Sequence, residues 1–218
     1  MNINDFFSDA YCINLDERKD RWRDVVNDLK KLKLTQINRY PAIKHTRGAV
    51  GCRLSHVDII KRAKEKKLDN VLILEDDIQI LSGEDDHISN ALSELSNLDW
   101  EIFYFGATIA PGATVTPVTD NVAKTNFAYT THAYALNSSV FDHVLEAVEK
   151  YNVIDVFYND QVVNRGKAYI INPIRIVQRE SYSDIEGKNT SYAGDMLDFF
   201  QRALKRGVKQ KNEQNKST

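Results

Sequence analysis

Glu75, Asp76 and Asp77 follow directly on the apolar run Val71-Leu72-Ile73-Leu74. Uninterrupted branched runs of this kind belong to strands covered on both faces, so three carboxylates stand at the carboxyl end of a strand. On extended backbone the first and third side chains leave on one side and the middle one on the other. Glu75 and Asp77 therefore converge, while Asp76 turns away and joins the donor-binding groups. Oxygen ligands of this kind suit hard divalent cations, Mn2+ or Mg2+, which complete their shell with water and phosphate oxygens. Such an ion would neutralise a departing diphosphate. The bland alternative is a solvated acidic turn or a helix N-terminus.

Two further segments carry groups fit for a nucleotide. Tyr11 to Trp22 runs from a short apolar strand into polar residues, of which Asn14, Leu15, Arg18 and Arg21 are candidates to read a base and ribose. Gly48 to His56 places two glycines before a helix, so that backbone N–H groups near Gly51 could approach phosphate, with Arg53, Ser55 and His56 close by. A turn glycine and a satisfied core histidine are the competing readings. Asp155 and Asp160 lie between a helix and the next strand, beside Phe157 and Tyr158, and are the candidates for a base on an acceptor hydroxyl. Asp155 has a competing reading as the cap of a helix starting near Val156. Gln178, Arg179, Ser183 and Asp184 would close the site from a late loop, with Arg179 as a phosphate contact.

The elements that must position these groups alternate. Residues 10–13 read as a strand and 22–32 as a helix; Tyr40 to Ile43 reads as an edge-like strand with Pro41, and the residues from Val50 as a helix with a basic outer face. After the strand at 71–74 come a helix from about Ile88 to Leu98, a strand at 102–106, and a patternless loop through Pro111 and Pro117. A strand from Phe127 to Leu136, a helix to about Tyr151 and a strand at 168–171 complete the series. Alternation predicts an α/β fold, a mostly parallel sheet with helices on both faces and ligands at the carboxyl ends of the strands.

These segments resemble, in order along the chain, glycosyltransferase family 25, the lipooligosaccharide and procollagen galactosyltransferase-like group. Cys12-Ile13-Asn14-Leu15-Asp16 with Asp20-Arg21-Trp22 is similar to the family's opening strand and loop. Gly51-Cys52-Arg53-Leu54-Ser55-His56 is similar to its Gly-Cys-x-x-Ser-His helix start, and Leu72 to Asp77 to its acidic motif. Thr131 to Leu136, Ile154-Asp155, Pro173 to Gln178 and Ser183-Asp184-Ile185 continue the likeness. The resemblance implies a GT-A-like, Rossmann-related fold, a UDP-sugar donor, and Glu75 and Asp77 near a divalent ion. It also favours Asp155 over Asp160. A hexose moved to a glycan or glycolipid hydroxyl, with inversion, in surface polysaccharide or lipooligosaccharide synthesis is the expected reaction. The stretch from Thr108 to Lys124 has no counterpart motif, which fits a trimmed acceptor region. A sugar-nucleotide-binding scaffold without turnover and a metal-dependent nucleotidyltransferase are the rival readings.

The whole chain limits these options. Its 218 residues carry 29 basic and 31 acidic side chains, a formal charge of -2, so no global positive field points to nucleic acid. Cys12 and Cys52 lack paired metal-site spacing and read as buried apolar side chains. No apolar run approaches the ~20 residues of a membrane span, and Met1 to Phe7 lacks the order of a signal peptide, so a cytoplasmic protein is expected. Residues 1–204 read as one domain, and Lys205 to Thr218 as a frayed polar tail. Met196, Leu197, Phe199 and Phe200, with Lys205, Arg206 and Lys209 beyond, form a helix that docks on the body or rests on the inner face of an anionic membrane.

Overall fold

The computed structural model describes residues 1–83, 86–183 and 187–216. The first half of the chain runs α1 (Ile3–Phe6), β1 (Ala10–Asn14), α2 (Lys19–Lys31), β2 (Asn38–Pro41), α3 (Gly48–Glu65), β3 (Asn70–Glu75), β4 (Ile78–Ile80), α4 (His87–Leu95) and β5 (Ile102–Tyr104). The second half runs β6 (Val115–Pro117), β7 (Val122–Thr125), β8 (Ala133–Asn137), α5 (Phe141–Ala147), α6 (Ile154–Gln161), β9 (Ala168–Ile171), β10 (Ile176–Gln178), β11 (Ser181–Ser183), β12 (Lys188–Thr190) and α7 (Ala193–Lys216).

Eight strands form one sheet in the order β2-β1-β3-β8-β5-β9-β7-β6. The β1–β2, β1–β3 and β5–β9 pairs are parallel, and β8 and β7 run against their neighbours, so six of the eight strands point one way. Pro41 ends the edge strand β2, where its missing N–H costs no ladder bond. After β1 the chain moves outward to β2, then returns to place β3 on the other side of β1. The carboxyl ends of β1 and β3 therefore flank a topological switch point, where a crevice opens in sheets of this kind.

Both faces of the sheet are covered, as period-two alternation along a doubly buried strand requires. Val71 and Ile73 of β3 face a core shared with Val57 and Ile60 of α3, Val144 of α5, Phe157 of α6 and Phe200 of α7. Leu72 and Leu74 face the opposite core, with Val25 and Leu29 of α2 and Leu92 of α4. This is the Rossmann-related α/β arrangement expected from the sequence.

Three expectations need correction. The strand read from Phe127 to Leu136 begins only at Ala133, because Thr130 turns the backbone with a φ of 74°. The loop from Thr108 to Lys124 contains β6 and most of β7, two short strands whose few apolar residues carry little periodic signal. Finally, the helix expected to end at Leu204 continues to Lys216. It holds to the body through Arg206 Nε, which donates to the Ala113 carbonyl at 2.8 Å, and Lys211 Nζ, which donates to the Pro117 carbonyl at 2.8 Å. Met196, Phe200 and Ala203 are buried and pack on the protein, while Leu197 stays exposed.

Gly207 makes the close approach of α7 to β6 possible, since a Cβ there would lie 2.1 Å from the Val115 carbonyl oxygen. On helix propensity alone Gly207→Ala would stabilise by about 1 kcal/mol. The packing reverses the sign: urea denaturation is expected to show Gly207→Ala destabilised by about 1–3 kcal/mol. Gly194→Ala, with nothing within 4 Å, should be neutral or stabilising.

Candidate active site

The acidic turn sits at the switch point because β1 and β3 are in parallel register, Ile13 opposite Glu75. Asp76, buried at 7% exposure, turns toward β1: Asn14 Nδ2 donates to its Oδ2 at 2.6 Å and Arg21 Nη1 to its Oδ1 at 2.9 Å. Asn14 is itself held by Arg39, whose Nε donates to its Oδ1 at 2.9 Å, and it donates to the Arg18 carbonyl. The Asn14 amide thus positions the acidic turn. Glu75 and Asp77 face the cleft, the first-and-third pattern expected of extended backbone.

Among the described residues Asp77 Oδ1 is buried without a hydrogen-bond partner, and Arg21 Nη1 stands 3.9 Å from its Oδ2. Burial, then the Glu75 charge, push its pKa up to about 7 against the pull of Arg21, with Asp76 adding to the rise. Burial also pushes Glu75 upward, yet its pKa lies below the usual range because the nearby His56 ring and the Thr131 hydroxyl favour its charge. His56 Nε2 lies 3.4 Å from Glu75 Oε1 without hydrogen-bond alignment. A carboxylate pair with an unpartnered buried oxygen calls for a proton or a cation, and its hard oxygen donors fit Mn2+ or Mg2+. Glu75 and Asp77 are the residues that would hold such an ion.

Two lobes of the cleft meet at these carboxylates. The first, of about 350 Å³, lies between the end of β1 and the start of α3 and is lined by Asn14, Leu15, Arg21, Lys44, His45 and Gly48. The second, of about 340 Å³, is lined by Ala49, Tyr129, Thr130, Asp155, Gln178 and Tyr192. Cys52, Glu75 and Asp77 border both. Across the second lobe, Asp155 accepts from the Thr130 N–H at 2.9 Å and meets the Thr131 hydroxyl at 3.1 Å. The same hydroxyl donates to Glu75 at 2.9 Å. One hydroxyl hydrogen thus serves two carboxylates, and the pKa of Asp155 is raised, first by burial and then by the Glu75 charge. The helix α6 begins at Ile154, so Asp155 sits in its first turn and the reading of Asp155 as a cap is set aside.

Several expected residues lie elsewhere. Asp160 is exposed on the outer face of α6 and borders neither lobe. Arg179 pairs with Asp28 of α2 and donates to the Ile78 carbonyl at 3.3 Å, so its guanidinium braces β4 instead of facing phosphate. Arg18 pairs with Asp20 at the start of α2. Arg53 borders neither lobe. Gly51 is inside α3, its N–H bonded to the Arg47 carbonyl, and its place is steric: a Cβ would lie 2.4 Å from the Ile43 carbonyl oxygen. Ser55 does border the first lobe, but its hydroxyl accepts from the Ile43 N–H and donates to the Gly51 carbonyl, which fastens the same crossing. Of the first turn of α3, Gly48 borders the first lobe and Ala49 the second. Ser183 lies in β11, and Asp184 and Ile185 lie outside the described residues.

The sequence reading passed over Thr130, Thr131, Tyr129 and Cys52. Thr130 and Thr131 were hidden in an apparent strand, and a cysteine within an apolar stretch carries no local sign that its sulfur borders a cleft. Gln178 reaches the second lobe because β10 pairs with β4, directly after the acidic turn.

An acid-lined cleft at the switch point of a largely parallel sheet places the chain among the Rossmann-related α/β proteins that bind ligands at strand ends. Residues 27–163, more than half of the chain, match glycosyltransferase family 25 (LPS biosynthesis protein), and the chain belongs to that family. Procollagen galactosyltransferase 2 of Mus musculus is 24% identical over 163 residues, which cover 60% of this chain and 26% of the relative. Procollagen galactosyltransferase 2 of Homo sapiens is 23% identical over 204 residues, covering 75% of this chain and 32% of the relative. The chain thus spans about a quarter to a third of the length of these relatives. A197 from STIV shares the fold with a TM-score of 0.50 at 10% identity, covering 83% of this chain and 91% of that one.

The shared hydroxyl of Thr131 generates a prediction. Thr131→Val removes the donor from two half-buried carboxylates and is expected to cost about 1–2 kcal/mol in chemical denaturation, and an unchanged midpoint would show that the contact carries no weight.

Proposed function

We propose that this chain is a metal-dependent glycosyltransferase that moves a hexose, galactose or glucose, from a UDP-sugar to a hydroxyl of a glycan or glycolipid. The observation that carries this reading is the two-lobed cleft, with Glu75 and Asp77 at its junction and Asp155 across the second lobe. Family membership and the names of the galactosyltransferase relatives support the sugar chemistry. The family description supports a place in surface polysaccharide synthesis.

In this reading the first lobe takes the nucleotide. The N-terminus of α3, an 18-residue helix, borders this lobe at Gly48, so its dipole favours the diphosphate, and Arg21 and Lys44 add positive charge at the same lobe. A divalent ion held by Glu75 and Asp77 would neutralise charge on the departing diphosphate. Asp155 takes the proton of the acceptor hydroxyl as its oxygen forms the new bond at the anomeric carbon, and the bond to the diphosphate breaks on the opposite side, which gives inversion. Thr130 and Thr131 hold Asp155 for that task. Tyr129, 38% exposed, and Tyr192 offer flat apolar surface to an acceptor sugar in the second lobe. Among the described residues no helix is long and apolar enough to cross a membrane. Leu197 and Val208 remain exposed on α7, near the basic Lys205 and Lys209, for a contact with the surface that carries a lipid-linked acceptor.

Product analysis tests the proposal. With UDP-galactose or UDP-glucose, Mn2+ and a panel of galactosyl- and glucosyl-terminated oligosaccharides, the expected product is free UDP with an extended acceptor. Asp155→Asn should lower kcat by about 10²–10⁴-fold with donor binding within a few-fold, and Asp160→Asn should leave both unchanged. Release of pyrophosphate from the nucleoside triphosphate and sugar phosphate would identify nucleotidyl transfer instead, and donor binding without turnover would identify a scaffold.

A further inference from the structure

Cys52 and His56 are four residues apart on α3 and so lie on the same face of the helix, one turn above the other. That face looks onto the end of β3. The Cys52 sulfur, a ring nitrogen of His56 and a carboxylate oxygen of Glu75 all lie within 4.8 Å of one another. In a tetrahedral site with bonds of about 2.0–2.3 Å, ligand atoms stand roughly 3.3–3.8 Å apart. The His56 Nε2 to Glu75 Oε1 edge already measures 3.4 Å.

A second observation points to a ligand in the same place. His56 is fully buried, and among the described residues its Nε2 has no aligned hydrogen-bond partner although a carboxylate faces it. Its Nδ1 is 2.9 Å from the Tyr134 hydroxyl, which is in turn 2.9 Å from the Tyr158 hydroxyl. When the ring proton sits on Nδ1 and is donated to Tyr134, the Nε2 lone pair is available to a cation that Glu75 also binds. A metal-bound histidine is commonly fixed by a bond from its other nitrogen, and Tyr134 fills that role. Thiolate, imidazole and carboxylate together select a borderline-soft ion, not Mg2+.

We propose that Cys52, His56 and Glu75 form a binding site for a thiophilic divalent cation of the zinc class, with a fourth position open to the cleft. Binding breaks the Cys52 S–H bond, forms a metal–sulfur bond and releases the proton to solvent. Because Glu75 belongs also to the carboxylate pair with Asp77, the zinc-class ion and a hard ion on that pair compete for one residue. The site itself stands on the geometry of α3 and β3; its consequence as an inhibitory site rests on the proposed sugar transfer.

Co2+ is the probe, because a cobalt–thiolate bond gives a near-ultraviolet charge-transfer band that oxygen and nitrogen ligands do not. The full chain titrated with Co2+ is expected to show that band, to lose it in Cys52→Ser and to keep it in Cys12→Ala, since Cys12 is fully buried within β1. Tyr134→Phe should weaken Co2+ binding by about tenfold or more. Independently of any variant, Zn2+ should protect the Cys52 peptide of the wild-type chain from alkylation by iodoacetamide, and Mg2+ should not. Absence of the band in the wild type, its survival in Cys52→Ser, or equal alkylation with and without Zn2+ overturns the proposal. Each of these readouts is blind to sugar transfer, so a failed glycosyltransferase assay leaves the outcome intact.

Discussion

Three carboxylates leave the end of β3 together, and the surrounding structure reads as the means of holding them there. Buried like charges raise each other's proton affinity and favour unfolding unless cations or donors face them. Asp76 has Asn14 and Arg21. Glu75 has Thr131, with His56 beside it. Asp77 keeps a buried oxygen with no partner among the described residues and a pKa pushed up to about 7 by burial and by Glu75. That residual imbalance is local, faces the cleft, and is the property a divalent cation and its phosphate ligands would relieve.

The fold serves that imbalance by topology. The move from β1 out to β2 and back to β3 opens the crevice in which the acidic turn ends, and α3 returns across it with its N-terminus toward the same space. Gly51 and Ser55 let the helix and the strand exit cross closely. On the far side, the antiparallel β8 pairs with β3 and brings Thr131 beside Glu75, while α6 delivers Asp155 to the same hydroxyl. Thr131 and Asp155, 56 and 80 positions beyond Glu75 along the chain, thus meet beside the carboxylate pair.

The acidic turn, the glycine-led helix and Asp155 were legible in the sequence because each lies within a few residues of a strong apolar run. So was the alternation of strands and helices that puts both faces of the sheet under cover. Arg179 was misread because the ion pair with Asp28 joins residues 151 positions apart, which no local pattern signals. Thr130 and Thr131 were lost inside an apparent strand, since a threonine with a positive φ looks in sequence like any strand threonine. The helical end of α7 was missed for a related reason: its apolar residues are sparse beyond Leu204, and a glycine, Gly207, makes the contact with β6. Asp160 matched the pattern for a base but fell on the outer face of α6, where the helical period alone decides.

Calorimetry of nucleotide-sugar binding tests the central claim most directly: UDP-galactose, UDP-glucose and GDP-mannose titrated into the wild type and Asp77→Ala, each with Mn2+ and with chelator. The account predicts that a UDP-sugar binds only when the metal is present and that Asp77→Ala abolishes the metal-dependent part. Equal binding with chelator, or binding untouched in Asp77→Ala, would contradict the assignment of the acidic turn as the place where metal and diphosphate meet.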